Sequence, residues 1–269
     1  MSQNPIGIFD SGLGGLTIYN EIHKLLPHEN IIYLADSKNA PYGGKPKEQI
    51  IEISVKNTEF LLKNNCKLIV VACNTASTNA VKYLRDHYEV PIIRVQPAIK
   101  PAALNSKTKV VGMLATKGTL ESELLFETAQ RFASGVKVVE RVGEGLVDLI
   151  ENGKMESPEM TQLLKKYVEP MLDHNIDQLV LGCTHYPFLT EQIREITGEG
   201  VQIIDSGEAI ARQTRVILEQ EGLLNEGQKE GERVFYSNKN VKVLQNMLDL
   251  FHDNLIATAI EFGYGKSFY

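Results

Sequence analysis

Two cysteines stand at equivalent places in two similar stretches of the sequence. Cys73 ends the apolar run in LIVVACNTAS (68–77), and Cys183 ends the run in QLVLGCTHYP (178–187). Ligands of open α/β sheets bind at the carboxyl ends of the strands, so a residue at that position faces a site and not the core. A thiolate placed there can act as a nucleophile or exchange a proton with a substrate. The sequence therefore predicts that both thiols take part in chemistry.

The presence of two such thiols favours one kind of reaction over another. A single buried cysteine is most often a small apolar filler, and this interpretation suits Cys66, which has no counterpart in the second half of the chain. A hydrolase could use Cys183 and the nearby His185 as nucleophile and base, but it would need only one thiol. Inversion at a carbon atom needs one group that removes a proton from one face and a similar group that returns a proton to the other. Paired thiols favour such an inversion.

The polar residues after each thiol predict that a helix begins there. Asn74 or Thr75 is expected to cap a helix starting at Ala76, and Thr184 to cap a helix with Pro187 in its first turn. The N-terminal end of a helix is positive and favours a thiolate. We therefore expect both thiols to have lowered pKa values.

A glycine-rich turn, DSGLGG (10–15), follows the first apolar run. Its amides could cradle a phosphate, receive a substrate carboxylate, or only form the turn. The GK[ST] ending of a phosphate-binding Walker loop is missing, and Thr17 stands where the third glycine of GxGxxG would be, which disfavours a nucleotide site. Asp10 either enters the site or caps the following helix.

Four further polar residues have both a functional and a structural interpretation. His185 follows a candidate base directly, which favours a role in the site over a surface position. Thr116 and Thr119 could donate hydrogen bonds to a substrate or form a local hydroxyl turn. Asp205 ends a strand and is expected to cap the helix after it.

Short apolar runs alternate with helical patterns along the chain, which predicts an α/β fold. The expected strands are IGIF, IIYLA, KLIVVAC, VPIIRV, KVVGML, VKVVE, QLVLGC, VQIID and RVFYS. Helical patterns follow at LGGLTIYNEIHKLL, 47–63, 76–88, 120–132, 144–150, 188–196, 209–220 and NVKVLQNMLDLF. Continuous apolar strands joined by helices are typical of a mostly parallel sheet flanked by helices on both faces.

The two halves of the chain resemble each other, which predicts two similar lobes with the active site in the cleft between them. IGIFDSGLGG resembles VVGMLATKGT, and YLADS echoes IIDSG. The prolines of QPAIKP (96–101) mark a boundary, and the last strand and helix are too short for a domain of their own. We expect a first lobe of 1–95 plus 209–269, with Asp10 and Cys73, and a second lobe of 96–208, with Cys183 and His185.

Composition narrows the class of protein. The chain of 269 residues has a net charge of -6 and no long Lys/Arg cluster, so nucleic acid is not an expected partner. It has no apolar run of membrane-spanning length and no secretory signal, so we expect a cytoplasmic protein that does not insert in a membrane. Its three cysteines form neither a disulfide framework nor a metal-binding pattern, so no metal is expected.

Four motifs, in this order, resemble those of the cofactor-independent glutamate racemases in the aspartate/glutamate racemase superfamily. They are FDSGLGG (9–15), DSKNAPYG (36–43), ACNTAS (72–77) and GCTHYP (182–187), and the resemblance covers nearly the whole chain. It implies that Cys73 and Cys183 exchange protons with the Cα atom of glutamate. It further implies that Asp10 and His185 assist the thiols, with Glu151 as the best match to another acidic residue, although Glu144 and Glu156 lie nearby.

The resemblance also implies a set of substrate contacts. They come from the DS of the first motif, the PYG turn and the residues that follow each thiol: Asp10, Ser11, Pro41, Tyr42, Gly43, Asn74, Thr75, Thr184 and His185. One mild departure is Gln96 before the interdomain proline, where many family members have a glycine or an acidic residue. We expect it to affect the hinge or a partner contact.

The resemblance implies a homodimeric enzyme that interconverts L- and D-glutamate without a cofactor and supplies D-glutamate for peptidoglycan. No lysine stands in a context that marks a pyridoxal phosphate Schiff base. Two alternatives remain open: a racemase for aspartate or a related amino acid, and a non-catalytic protein that binds an amino acid or inhibits another enzyme.

Overall fold

Ten strands and twelve α-helices alternate along the chain in the computed structural model, which describes residues 2–133, 135–239, 241–251 and 259–261. The strands are β1 (Ile6–Asp10), β2 (Ile31–Ala35), β3 (Leu68–Val71), β4 (Ile92–Arg94), β5 (Val110–Ala115), β6 (Lys137–Val142), β7 (Gln178–Gly182), β8 (Gln202–Ile204), β9 (Arg233–Ser237) and β10 (Ala259–Glu261).

The strands form two parallel sheets, one in each lobe, which confirms the α/β class. The first sheet has the order β10-β9-β2-β1-β3-β4 and the second the order β6-β5-β7-β8. Every ladder in both sheets is parallel. The carboxyl ends of β1, β2 and β3 in one lobe and of β7 in the other carry the residues of the four sequence motifs.

The helices cover both faces of each sheet. They are α1 (Leu16–Leu25), α2 (Lys47–Lys63), α3 (Asn74–Asn79), α4 (Val81–His87), α5 (Ile99–Asn105), α6 (Lys117–Leu120), α7 (Glu123–Phe132), α8 (Leu146–Glu151), α9 (Pro158–Leu172), α10 (Thr190–Thr197), α11 (Gly207–Gln220) and α12 (Val241–Asp249). Two 3₁₀ helices lie at Tyr42–Gly44 and Tyr186–Leu189. In the described part of the chain, no helix is both long and apolar enough to span a membrane.

The side chains of each central strand alternate between two cores. In β2, Ile31 and Tyr33 face a core that runs through both lobes, whereas Ile32 and Leu34 face a second core under α2. A third core lies on the outer face of the second sheet, under α5 and α7. Burial on both faces explains why the strands read as continuous apolar runs.

The predicted likeness between the halves is correct for two pairs of strands, β1 with β5 and β3 with β7. β1 and β5 each pair with two neighbouring strands. β3 pairs with β1 as β7 pairs with β5, and β4 and β8 are the edge strands beyond them. The counterpart of β2 is β6, so the echo between YLADS in β2 and IIDSG after β8 does not join equivalent strands. That part of the prediction is wrong, because short apolar strand ends look alike wherever they stand.

The chain passes between the lobes at two neighbouring segments. The Ser206 hydroxyl donates a hydrogen bond of 2.5 Å to the carbonyl oxygen of Gln96. After the return, α11 packs against α1, and β9 pairs with β2. The lobe boundaries at 96 and 209 stay a prediction, and residues 252–258 and 262–269 of the expected first lobe lie outside the described residues.

Candidate active site

The strand ends of the two lobes face each other across a cavity with an empty volume of about 260 Å³. We call it the interlobe cavity. Both thiols line it. The complete lining is Ser11, Pro41, Tyr42, Gly43, Cys73, Asn74, Thr75, Thr116, Val147, Cys183, Thr184 and His185.

Cys73 reaches the cavity from a position that the sequence predicted only in part. β3 ends at Val71, and Cys73 itself is the N-cap of α3, so the expected caps Asn74 and Thr75 are wrong. Its Sγ accepts a hydrogen bond from the Ala76 amide (3.4 Å) and lies 3.5 Å from Ser11 Oγ. Burial, with the charge of Asp10, raises the pKa of Cys73 above its ordinary value despite these hydrogen bonds. The expected lowering by the helix end is therefore wrong for this thiol.

Cys183 has a different local environment. It follows β7 directly, and the helix after it is the short 3₁₀ helix Tyr186–Leu189, so Thr184 is not a helix cap. Its Sγ lies 3.8 Å from His185 Nδ1, while His185 Nε2 lies 2.6 Å from Glu151 Oε1. All three side chains are buried.

The neighbours of His185 favour its charged form. Burial alone lowers the pKa of an imidazole, but the hydrogen bonds to Cys183 and Glu151 outweigh it and raise the pKa of His185 well above its ordinary value. The two thiols thus differ: Cys183 has a cation beside it, and Cys73 has a buried carboxyl group.

The glycine-rich turn contacts the predicted site residues. The Leu13 amide donates to Glu151 Oε1 (2.6 Å), and the Gly12 amide donates to Asp10 Oδ2 (2.9 Å). A Cβ atom on Gly12 would overlap the Glu151 carboxylate, and one on Gly14 would overlap the His185 ring. The two amides are therefore not open to a substrate carboxylate, and the glycines are needed because the second lobe approaches so closely.

Asp10 acts at the junction of the lobes, one layer behind the cavity. Its Oδ1 accepts from the Thr184 hydroxyl (3.2 Å), so it contacts the residue next to Cys183. The Thr17 hydroxyl donates to the Thr184 carbonyl oxygen (3.1 Å) and to Gly14 O (2.9 Å). Burial raises the pKa of Asp10. Thr184 is thus held by two residues of the opposite lobe.

Three threonine hydroxyls form a chain from one lobe to the other. Thr75 Oγ1 lies 3.0 Å from Thr116 Oγ1, and this atom lies 3.0 Å from Thr119 Oγ1. Thr75 and Thr116 line the cavity, whereas Thr119 is buried behind Thr116. The predicted hydroxyl donors are therefore brought together, with Thr119 placed to support its neighbour and not to reach a ligand.

The PYG turn forms one wall of the cavity and is fixed from behind. The Tyr42 hydroxyl donates to Asp36 Oδ2 (2.5 Å) and accepts from Asn57 Nδ2 (3.1 Å). Asp36 also accepts from the Asn238 amide group, at the end of β9. The DSKNAPYG motif marks Asp36 in the sequence. No motif marks Asn57 or Asn238 as residues that support the site.

Among the predicted site residues, Asp10, Glu151 and Thr119 do not line the cavity, and the others do. Val147, in α8, lines it without having been predicted, because a buried valine in a helix looks like any core residue. Asn74 Nδ2 is buried and has no hydrogen-bond partner among the described residues, so it can donate into the cavity. Glu144 and Glu156 are exposed, and only Glu151 among the three acidic candidates contacts His185.

The remaining polar predictions fall outside the cavity. Ser206 and not Asp205 is the N-cap of α11, so the expected cap is wrong by one residue; Asp205 Oδ1 accepts from the Gly207 amide (2.6 Å) in the turn before the helix. Cys66 packs in the second core, and burial raises its pKa to about 12. Within the described ranges, no group of three or more His, Cys, Asp or Glu side chains could hold a metal ion.

Comparison with known proteins finds the same fold and closely related sequences. Residues 6–214 match the family model described as Asp/Glu/Hydantoin racemase. A curated glutamate racemase of Herpetosiphon aurantiacus is 46% identical over 86% of this chain and 91% of its own length.

Two solved structures extend this comparison. Escherichia coli glutamate racemase, in complex with L-glutamate and the activator UDP-MurNAc-Ala, has a TM-score of 0.85 at 34% identity, and the match covers 96% of this chain and 97% of that one. Glutamate racemase from Francisella tularensis, in complex with D-glutamate, has a TM-score of 0.84 at 28% identity, with 99% and 100% of the two chains covered.

Proposed function

Because the chain belongs to the Asp/Glu/hydantoin racemase family, we propose that it interconverts L- and D-glutamate by proton transfer between two thiols and the substrate Cα. The family makes the chain an isomerase of the racemase class. The relatives that match it over most of their length are glutamate racemases, which supports glutamate as the substrate. The observation that carries the proposal is that Cys73 and Cys183 reach one cavity from opposite lobes.

The asymmetry of the site suits a two-base reaction. With L-glutamate bound, the Cys183 thiolate removes the Cα proton, and the Cys73 thiol gives its proton to the opposite face. The Cα–H bond on one side breaks and the one on the other side forms, so Cys183 ends as a thiol and Cys73 as a thiolate. D-glutamate uses the same steps in reverse. The burial that raises the pKa of Cys73 favours the starting thiol there, and His185 lies beside Cys183.

The cavity can receive a dicarboxylate through neutral donors. Its described lining contains no Lys or Arg, and His185 is the one side chain in it that can carry a positive charge. The Asn74 amide and the hydroxyls of Ser11, Thr75 and Thr184 are placed to donate to carboxylates. Fixed donors in a closed, water-poor site stabilise the charge that develops when the Cα proton leaves. The proposed reaction therefore needs no electron-withdrawing cofactor.

We also propose that the enzyme supplies D-glutamate for peptidoglycan in the cytoplasm and works as a homodimer. These points rest on the resemblance of the whole chain to glutamate racemases. Gel filtration with light scattering of the purified protein tests the dimer directly.

The activity is tested by incubation in D₂O with L-glutamate or L-aspartate and no added cofactor. We expect glutamate to gain deuterium at Cα while its D/L ratio approaches one. Glutamate that stays optically pure and undeuterated contradicts the proposal. Exchange with aspartate alone selects the aspartate racemase instead, and binding without exchange selects a non-catalytic protein.

The two-thiol mechanism is tested by Cys73→Ala and Cys183→Ala, with Cys66→Ala as the matched control. Each of the first two changes should abolish racemisation, and the control should keep it, because Cys66 lies in the core away from the cavity. Circular dichroism checks that all three variants fold. Racemisation that survives either of the first two changes rules out the mechanism.

A further inference from the structure

A second cavity is also lined by Cys183. Its empty volume is about 190 Å³, and we call it the back cavity. It lies between the start of α1, the two segments that cross between the lobes, and the end of β7. Thr17, Val95, Cys183, Asp205 and Ser206 are among its lining residues.

The back cavity distinguishes the two thiols. Cys183 lines both cavities, whereas Cys73 lines the interlobe cavity only. Cys73 Sγ is in addition held by the Ala76 amide and Ser11. A molecule in the interlobe cavity therefore covers Cys73 but leaves one side of Cys183 facing an empty space.

The lining of the back cavity suits water. The back cavity is lined both by Asp205, which is exposed at the protein surface, and by the buried Cys183. Asn74 lines both cavities, and its buried Nδ2 has no partner among the described residues. Water needs polar partners to occupy a protein cavity, and the hydroxyls of Thr17 and Ser206 are further candidates.

A two-base racemase needs such a route after each turnover. Conversion of L- to D-glutamate leaves Cys183 as a thiol and Cys73 as a thiolate, which is the wrong state for another L-glutamate. Cys183 must then lose one proton to water, and Cys73 must gain one, so the net charge of the site is unchanged. After the reverse reaction, both transfers run in the opposite direction.

We propose that the back cavity is the water route by which Cys183 exchanges its proton with solvent, even while glutamate fills the interlobe cavity. Cys73 exchanges only through the interlobe cavity, after the product has left. The inference rests on the proposed racemase function, and its test separates the two.

Hydrogen peroxide serves as a probe of nearly the size of water, because it oxidises an accessible thiolate to the sulfenic acid. The protein is treated with peroxide with and without saturating glutamate, and oxidation at each cysteine is followed by peptide mass spectrometry. We expect glutamate to slow the oxidation of Cys73 by about tenfold or more, equal to about 1.36 kcal/mol of barrier, and that of Cys183 by much less.

Variants of Val95 test the route itself, since Val95 lines the back cavity and has no place in the catalytic machinery. Val95→Ile narrows the cavity and should slow Cys183 oxidation, and Val95→Ala widens it and should speed oxidation. Val70→Ile and Val70→Ala are the matched controls, because Val70 is equally buried in the same core but does not line the back cavity. In racemisation assays, the rate of Val95→Ile should equal that of the wild type at low glutamate concentration. At high concentration it should be lower, because the return of the thiols to their starting protonation states then limits the rate.

The proposal is overturned if glutamate protects both thiols equally from oxidation. It is also overturned if substitutions of Val70 change the oxidation rate of Cys183 as much as substitutions of Val95 do. If glutamate protects neither thiol and no racemisation occurs, glutamate racemisation is the part that fails. A selective response of Cys183 to Val95 would still establish the solvent route in that case.

Discussion

At the scale of single residues, the site depends on glycines as much as on thiols. Gly12 and Gly14 have no room for a methyl group because Glu151 and His185 from the second lobe lie against them. A sequence shows such glycines only as a turn. The close approach becomes visible when the partner lobe is in place.

Gly12→Ala should reduce kcat/KM for L-glutamate by about a hundredfold, since it pushes Glu151 away from His185 and a small misplacement of catalytic groups has this effect. Gly44→Ala is the control, because a methyl group there meets no other atom. Steady-state kinetics with circular dichroism makes the comparison. Equal activity of the two variants would contradict the close-approach argument.

Glu151→Gln should move the alkaline limit of racemisation to lower pH. The hydrogen bonds and charges of Cys183 and Glu151 raise the pKa of His185 despite its burial, so the wild-type imidazolium persists as the pH rises. Removal of the carboxylate charge lowers the pKa of His185, and the imidazolium is lost earlier. The pH profile of kcat/KM is the measurement, with the exposed Glu144→Gln as control. An unchanged alkaline limit in Glu151→Gln would argue against the coupling.

At the scale of elements, the spacing of apolar residues and the residues typical of helix ends predicted most of the fold. The helix expected at 47–63 is α2 with the same bounds, because its apolar spacing is regular and Pro46 precedes it. The helix expected at 76–88 is instead divided into α3 and α4 at Ala80. Thr78 and Asn79 bond back to the Thr75 carbonyl oxygen, which competes with regular helical bonding there.

Other elements were missed or displaced. The helix expected at 120–132 is α6 and α7, which Ser122 separates by capping the second. No helix is predicted for α9, although Ser157 and Pro158 form an ordinary helix start. The site residues on strand ends could be predicted from local pattern, whereas Asn57, Asn238 and Val147 act through contacts between distant segments.

A buried ion pair joins several elements at the other end of the first sheet. Lys67 Nζ lies 2.5 Å from Glu29 Oε2, and both side chains are almost fully buried. Glu29 Oε1 accepts a hydrogen bond from the backbone amide of Asn225. Lys67→Met leaves Glu29 without its cation and should lower the free energy of unfolding by about 3–5 kcal/mol. Denaturant unfolding measures the change.

The double variant Lys67→Met/Glu29→Gln should recover part of this loss, because glutamine still accepts from Asn225 without a buried charge. Lys56→Met, which breaks the exposed pair with Glu52, is the control and should leave the unfolding midpoint unchanged. A double variant that is no more stable than Lys67→Met would show that lost packing, and not the unpaired charge, causes the effect.

At the scale of the whole molecule, the proposed catalytic groups come together only where the lobes meet. The Leu13 amide of the first lobe binds Glu151 of the second, and Asp10 binds Thr184. The surroundings of Cys183 therefore depend on residues of the opposite lobe. Substrate affinity for both enantiomers should then depend on how firmly the lobes are held together.

Thr17→Val tests this dependence, since the Thr17 hydroxyl bonds the Thr184 carbonyl oxygen across the cleft. Loss of one hydrogen bond of about 1 kcal/mol should raise KM about fivefold for both L- and D-glutamate. Thr128→Val is the matched control, because that half-buried hydroxyl bonds only within its own helix, at Leu124. Kinetics in both directions provides the measurement. A KM that rises for one enantiomer alone would place the effect of Thr17 at one thiol, and lobe closure would not explain it.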